Sequence, residues 1–168
     1  MPSNSYYNFR MTRRNELLYA LETTPRDLAR TLRNVAPSAR DTRIAPDQWS
    51  ISDILNHLIS VEIRYLTCLQ RVAEEDSPTL PFILPDPANH DLTALLDDLL
   101  AHFTEVRTQT LNFLKPLPSG VWARHATYAD GRKTSFRYLV QALVDHDTEH
   151  LNQLIEVKSC LSKPSATP

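Results

Sequence analysis

Apolar side chains recur every three or four residues along four stretches of the chain, which is the spacing of an amphipathic α-helix. The clearest stretch begins after Trp49 and continues to about Glu75. Ser50 precedes this stretch and Asp53 lies in its first turn, which is the pattern of a capping box. A long helix is therefore predicted here, with its buried face formed by Ile51, Ile54, Leu55, Leu58, Val61, Tyr65, Leu66 and Leu69.

The first stretch predicts a helix from Arg13 to about Ala36. Thr24, Pro25 and Asp27 have the pattern of a fresh helix start, with Thr24 as N-cap and Pro25 at the first helical position. We therefore expect either one kinked helix or two short helical pieces in this region.

A third helix is predicted after Asp91, its expected N-cap, and it ends before Pro116. Its expected core face comprises Leu92, Leu95, Leu96, Leu99, Phe103, Val106, Thr110, Leu111 and Leu114. The last helix is predicted at about 134–160, with Thr134 or Ser135 as its N-cap. Its apolar face comprises Phe136, Leu139, Val140, Leu143, Leu151 and Leu154.

The connections complete the predicted fold. Four prolines between residues 76 and 90 exclude a regular helix, so this segment can cross from one end of a bundle to the other. Asp130-Gly131 is a tight-turn signal and predicts a small extended hairpin before the last helix. With only two glycines in 168 residues, we expect an all-α four-helix bundle with long crossover connections. It would span residues 13–161, between a flexible segment at 1–12 and a frayed tail at 162–168.

The composition of the chain limits the classes of partner that this protein can have. The formal net charge is −2 and no basic stripe is present, which argues against nucleic acid as a partner. No apolar run approaches the roughly 20 residues of a membrane span, and the start of the chain is polar. Cys68 and Cys160 are the only cysteines, so no disulfide framework or CxxC metal site is expected. We therefore expect a soluble, cytoplasmic protein.

Two histidines in the last predicted helix are candidates for metal binding. His146 and His150 are four residues apart, which places their Cβ atoms roughly 5–6 Å apart on one helix face. Neutral imidazole is a common metal ligand, so the pair supplies half of a site. Two surface histidines are the simpler alternative. His150 falls within the apolar arc of the helix, however, and His146 lies on its flank, which favours metal binding.

Other polar residues fall near the predicted buried faces. His57 lies at the edge of the core face of the second helix, and Glu62 lies near its centre. Asp147 faces the core and needs a partner, either a ligating histidine or an arginine of the bundle. Gln153 extends the histidine side of the last helix. Three imidazoles from two helices complete a facial triad and leave other coordination positions for water or substrate. His90, His102 and His125 are expected to have no site role.

Two segments carry a resemblance to a known family. They are Trp49-Ser-Ile-Ser-Asp-Ile-Leu-Asn-His57-Leu-Ile-Ser-Val-Glu62 and Asp145-His146-Asp-Thr-Glu-His150-Leu-Asn-Gln153-Leu. Together they resemble the DinB-like superfamily, whose members are four-helix bundles with a three-histidine metal site. The resemblance implies that His57, His146 and His150 bind a divalent ion, commonly zinc or nickel, and that the protein forms a homodimer.

The resemblance also implies a range of functions. Characterised relatives include thiol-dependent S-transferases that use bacillithiol and a mycothiol-dependent maleylpyruvate isomerase. A metal-dependent enzyme that activates a low-molecular-weight thiol is one expectation, with Glu62, Asp147 or Gln153 in a catalytic or ligand-orienting role. The alternatives are a metal-dependent hydrolase, in which the open position holds water, and a non-catalytic stress-response or binding module. Whether the protein is an enzyme stays open at this point, and no substrate-binding residue is assigned.

Overall fold

The computed structural model describes residues 5–83 and 93–162, with side chains described from residue 13 onward. Four helices fall in these ranges: α1 (Ser5–Thr31), α2 (Ile51–Glu74), α3 (Leu96–Leu114) and α4 (Phe136–Leu161). Three short strands accompany them: β1 (Thr79–Leu80), β2 (His125–Tyr128) and β3 (Lys133–Ser135). The predicted four-helix bundle with a small hairpin before the last helix is confirmed. No helix within the described ranges has the length and hydropathy needed to cross a membrane.

The helices pack in a ring in which α1 and α2 each contact both α3 and α4. Lys158, near the end of α4, donates to the carbonyl of Thr31 at the end of α1, so these two helices run in the same direction. Arg14, near the start of α1, donates to the carbonyl of Lys115 just beyond α3, so α1 and α3 are antiparallel.

Helices α2 and α3 run in the same direction. Ile51, at the start of α2, and Leu99, near the start of α3, belong to the same end of the core. Glu62 and Arg107, near the middle of each helix, form an ion pair. Two consecutive helices that run in the same direction need a long crossover connection, so the predicted crossover topology is confirmed.

Helix α1 differs from its prediction. It begins at Ser5 rather than Arg13, and no proline or glycine between residues 5 and 12 interrupts it. It also continues through Pro25 as one helix, so the prediction of Thr24 as an N-cap is wrong. The Thr24 hydroxyl instead lies within hydrogen-bond distance of both the Ala20 carbonyl, as a residue inside a helix can, and Asp147 Oδ2, and its one proton is shared between these two acceptors.

The start of α3 also differs. Leu95 is the N-cap residue, with an extended backbone (φ −71°, ψ 158°), and its side chain is 63% exposed. Its predicted place on the buried face is therefore wrong, because a residue at the N-cap does not continue the helical face. The predicted cap Asp91 and core residue Leu92 lie outside the described residues.

The starts of α2 and α4 follow the predicted capping chemistry. Asp53 N–H donates to Ser50 Oγ (3.1 Å) and Ser50 N–H donates to Asp53 Oδ2 (2.9 Å), which completes the capping box. Ser135 is the N-cap of α4, where its Oγ accepts from Tyr138 N–H at 3.2 Å. These caps fix where the two helices begin.

The small sheet leads into α4. Strands β2 and β3 pair antiparallel, with His125 opposite Ser135, and Gly131 in the turn has a φ of 86° that suits glycine. Strand β1 pairs parallel to β2, with Thr79 opposite Thr127. This third strand was not predicted, because two residues carry too little pattern to indicate a strand.

The hydrophobic core has two parts that lie at opposite ends of the bundle. The first core cluster includes Leu21, Leu69, Leu114, Phe136 and Leu143. The second core cluster includes Leu28, Ile54, Phe103, Val106 and Leu154. Several buried polar residues fall between the two clusters along the chain. Four of them, one from each helix, are joined to one another by hydrogen bonds or ion pairs: Thr24, Glu62, Arg107 and Asp147. We call these four residues the polar layer.

Candidate metal centre

Three histidines converge where α2 and α4 pack together. His57 comes from α2, and His146 and His150 come from α4. The Nε2 atoms of His57 and His146 are 2.8 Å apart, and one potential ligand atom from each of the three rings lies within 4.8 Å of the others. His57 and His150 are buried and His146 is half-buried. The antiparallel packing of α2 on α4 thus brings together the three residues that the sequence singled out.

Gln153 fixes the orientation of one of these rings. Its Oε1 accepts a hydrogen bond of 2.8 Å from Nδ1 of His150. Because an amide oxygen only accepts, the proton of a neutral His150 must lie on Nδ1. Nε2 of His150 is therefore left with a lone pair for a ligand.

His146 has the protonation state that a metal needs. Burial lowers the pKa of His146 to about 3, with smaller contributions from the nearby His150 and His57 rings and from Arg107. His146 is therefore neutral at pH 7, and a neutral imidazole is the metal-binding form.

The spacing of the nitrogens also fits one ion. Imidazole nitrogens bound to zinc lie about 2.1 Å from the metal, so two of them can be at most about 4.2 Å apart. The 2.8 Å separation between His57 and His146 is inside this limit. The 4.8 Å bound on the whole group exceeds the limit by about 0.6 Å, which is the most by which the rings would need to close in around one ion. The His146 Nδ1 atom is buried and has no hydrogen-bond partner among the described residues. The donor set, three imidazole nitrogens from two helices, therefore fits a divalent ion.

Trp49 forms a wall beside the histidines. Its ring stacks on His150, with centroids 5.7 Å apart and an interplanar angle of 14°, and lies 4.7 Å from the His57 ring. The capping box places it there, because Trp49 directly precedes Ser50, the N-cap of the helix that carries His57. Sequence reasoning used Trp49 only as part of a family motif and gave it no role at the site.

A cleft opens next to the same wall. It has a volume of about 430 Å³ and is bordered by His150. Its lining comprises Asp47, Gln48, Trp49, Glu149, His150, Asn152, Gln153 and Glu156. The histidine group is therefore next to a space that a small molecule can enter.

Comparison with known proteins identifies the family. A family model of the DinB superfamily matches residues 20–154. The chain belongs to the DinB superfamily. A search of curated proteins finds no match.

Solved structures show the same DinB fold. YfiT from Bacillus subtilis, described as a probable metal-dependent hydrolase with an unusual four-helix bundle topology, has a TM-score of 0.78 and 16% identity, covering 90% of this chain and 89% of YfiT. A mycothiol-dependent maleylpyruvate isomerase has a TM-score of 0.65 and 14% identity, covering 84% of this chain and 60% of the isomerase. The DinB-like protein YjoA from Bacillus subtilis has a TM-score of 0.64 and 14% identity, covering 91% of this chain and 96% of YjoA.

In this DinB-superfamily chain, Glu62 and Asp147 lie in the polar layer and share one arginine. Arg107 donates from Nε and Nη2 to the two carboxylate oxygens of Glu62, at 2.9 and 2.8 Å. Its Nη2 also lies 2.8 Å from Asp147 Oδ2, which accepts a further hydrogen bond of 3.0 Å from Thr24. Of the two partners that the sequence allowed for Asp147, the structure shows the arginine.

In the polar layer, burial and the neighbouring charges shift the pKa values of Asp147 and Arg107 in opposite directions. Burial raises the pKa of Asp147 to about 6, although Arg107 beside it acts in the opposite direction. Burial also opposes the charged form of Arg107, but Asp147 and Glu62 together outweigh burial and raise its pKa above the ordinary value. Arg107 therefore stays charged in the core, held by two carboxylates.

Sequence reasoning missed Arg107, although a signal was present. The residue lies four positions after Phe103 and four before Leu111, so it is on the apolar face of α3. A cation in that position predicts a buried acidic partner on a neighbouring helix.

The two other histidines within the described ranges take no part in the site. His102 and His125 are exposed, on α3 and β2, as the sequence predicts. His90 lies outside the described residues.

Proposed function

We propose that this protein is a metal-dependent enzyme in which His57, His146 and His150 hold one divalent ion, zinc or nickel. The observation that carries the proposal is the convergence of three imidazoles from two helices, with their ligand atoms within 4.8 Å of one another. When bound, such an ion keeps its full positive charge and favours the deprotonated form of a thiol or a water molecule at an open position.

The residues of the chain itself prepare this centre. Gln153 holds His150 in the tautomer that presents Nε2, and Trp49 covers the His150 and His57 rings on one side. Three protein ligands leave coordination positions for a small molecule. The cleft beside His150 gives that molecule a path to the site.

The proposed reaction is transfer of a low-molecular-weight thiol to an electrophile. The fold likeness to a mycothiol-dependent isomerase supports a thiol as the nucleophile. A general base taken from the polar layer would have to be released from Arg107, because Glu62 and Asp147 both bond to it. Activation of a thiol by the metal charge needs no such release. We also propose a homodimer, as the family resemblance implies, and a cytoplasmic location, as the composition and cysteine usage indicate.

Hydrolysis is the second candidate. The likeness to YfiT, described as a probable metal-dependent hydrolase, supports it. In this reaction a water molecule would be the nucleophile, and an ion held by His57, His146 and His150 would supply the positive charge that favours deprotonation of that water.

A paired assay separates the two reactions from a non-catalytic role. Protein loaded with zinc or nickel is incubated with a low-molecular-weight thiol and an electrophile such as a chlorodinitrobenzene, and separately with an activated ester and no thiol. We expect thiol consumption in the first assay, abolished in His146→Ala. Ester cleavage without thiol would establish hydrolysis instead. Turnover in neither assay, with metal bound and a higher melting temperature, would indicate a structural metal.

A further inference from the structure

Arg107 contacts all three other helices of the bundle. It is fully buried (0% exposed) on α3. Its guanidinium bonds to Glu62 on α2, to Asp147 on α4 and, through Nη1 at 2.9 Å, to the carbonyl of Leu21 on α1. The guanidinium is a rigid planar fork, so these bonds fix directions as well as distances.

The contact with α1 depends on Pro25. Proline has no N–H, so the helical hydrogen bond from residue 25 to the carbonyl of Leu21 cannot form. That carbonyl is the one to which Arg107 donates. A proline in the middle of α1 thus frees a backbone acceptor in the core, and Arg107 occupies it.

The two carboxylates of this network lie on the helices that carry the histidines. Asp147 directly follows His146 on α4. Glu62 follows His57 by five residues on α2, a rise of about 7.5 Å along the helix. A rotation or a slide of α2 against α4 would therefore break bonds to Arg107 and separate the Nε2 atoms of His57 and His146 in the same movement.

We propose that Arg107 is a positioning residue for the metal centre: by binding Glu62 and Asp147 together, it sets the register of α2 against α4 and hence the relative placement of the three histidines. This inference rests on the proposed function, because it concerns the ion that the histidines would hold.

Packing alone does not account for such a network. A buried cluster of charges is often no more stabilising than well-packed apolar side chains of the same volume, because desolvation of the charges is costly. Two apolar core clusters already hold the bundle together on either side of it. What the charges add is directional bonding, and a metal site needs its ligands placed within about 0.5 Å and 10–20°.

Cobalt binding tests the proposal, because the visible spectrum of bound Co²⁺ reports the geometry of its ligands. The variants are Arg107→Met, which removes the fork, and Arg107→Lys, which keeps the charge but cannot bind both carboxylates in the same way. The control is Leu114→Ala, which damages the first core cluster about two helical turns after Arg107 on the same helix. Each protein is titrated with Co²⁺ at a temperature where its circular dichroism shows it folded.

We expect both Arg107 variants to bind Co²⁺ at least about tenfold more weakly than wild type and to give an altered spectrum at saturation. We expect Leu114→Ala to lose thermal stability but to keep the affinity and the spectrum of wild type. If folded Arg107→Lys binds Co²⁺ with the affinity and the spectrum of wild type, the proposal is overturned. This test holds whether or not Arg107→Met folds. Failure of the wild type to bind Co²⁺, Zn²⁺ or Ni²⁺ would instead overturn the proposed function itself.

Discussion

Oε1 of Gln153 lies 2.8 Å from Nδ1 of His150, one helical turn earlier on α4. This bond holds the imidazole in one tautomer and one orientation. Replacing Gln153 by Leu should therefore weaken zinc binding by about 10–100-fold, the range seen when a group that orients a metal ligand is lost. Competition with a chelator of known affinity measures the effect.

Asn152→Leu is the matched control for Gln153→Leu. Asn152 is the preceding residue, lines the same cleft and is exposed. We expect this variant to bind zinc as wild type does. Equal affinities in Gln153→Leu and wild type would mean that the His150 orientation is set by packing against Trp49 alone.

Trp49 should report on metal binding through its fluorescence. The chain has two tryptophans, and only Trp49 contacts the histidine rings, while Trp122 lies in the first core cluster against Phe136. In a Trp122→Phe variant, Ni²⁺ or Co²⁺ should therefore quench the remaining emission with a one-site saturation curve. Trp49→Phe, which keeps Trp122, should show no such curve. Equal quenching in the two variants would contradict the placement of the ion beside Trp49.

The bonds in the polar layer predict which substitutions there lower the stability of the protein most. Arg107→Met leaves two buried carboxylates without their cation and should lower the free energy of unfolding by about 3–5 kcal/mol. Asp147→Asn should cost less, because the two hydrogen bonds between Arg107 and Glu62 remain. Urea denaturation followed by circular dichroism measures both.

An exposed ion pair supplies the comparison for these variants. Arg132 bonds to Asp130 at 2.6 Å, but its side chain is 68% exposed. Arg132→Met should therefore change stability by no more than about 1 kcal/mol. A loss in Arg107→Met as small as that in Arg132→Met would show that the buried carboxylates are relieved by water or protonation.

The sequence predicted most of the features that depend on residues close together in the chain, such as helix positions and helix caps. Helix periodicity and capping signals located α2 and α4, and Ser50 and Asp53 marked the start of α2. Helical spacing and the family motif identified His57, His146 and His150 as a group, because residues on regular helices keep their spacing in the fold.

The errors arose where tertiary contacts override local signals. Thr24-Pro25 has the pattern of a helix start, yet α1 continues through it, and Arg107 donates to the carbonyl that the proline leaves free. Spacing places Arg107 on the apolar face of α3, but the partners of Arg107 and of Trp49 could not be predicted. Each depends on which helix packs beside it, and spacing along the chain does not encode that.

The central claim is that His57, His146 and His150 bind one divalent ion. Elemental analysis of protein purified without a histidine tag tests this claim most directly. The proteins compared are wild type, the three site variants His57→Ala, His146→Ala and His150→Ala, and the exposed control His102→Ala. We expect about one equivalent of zinc, nickel or another divalent ion in wild type and in His102→Ala, and loss of it in the three site variants with the helical signal intact. Retention of stoichiometric metal in the site variants, or no metal in wild type after incubation with zinc, would contradict the claim.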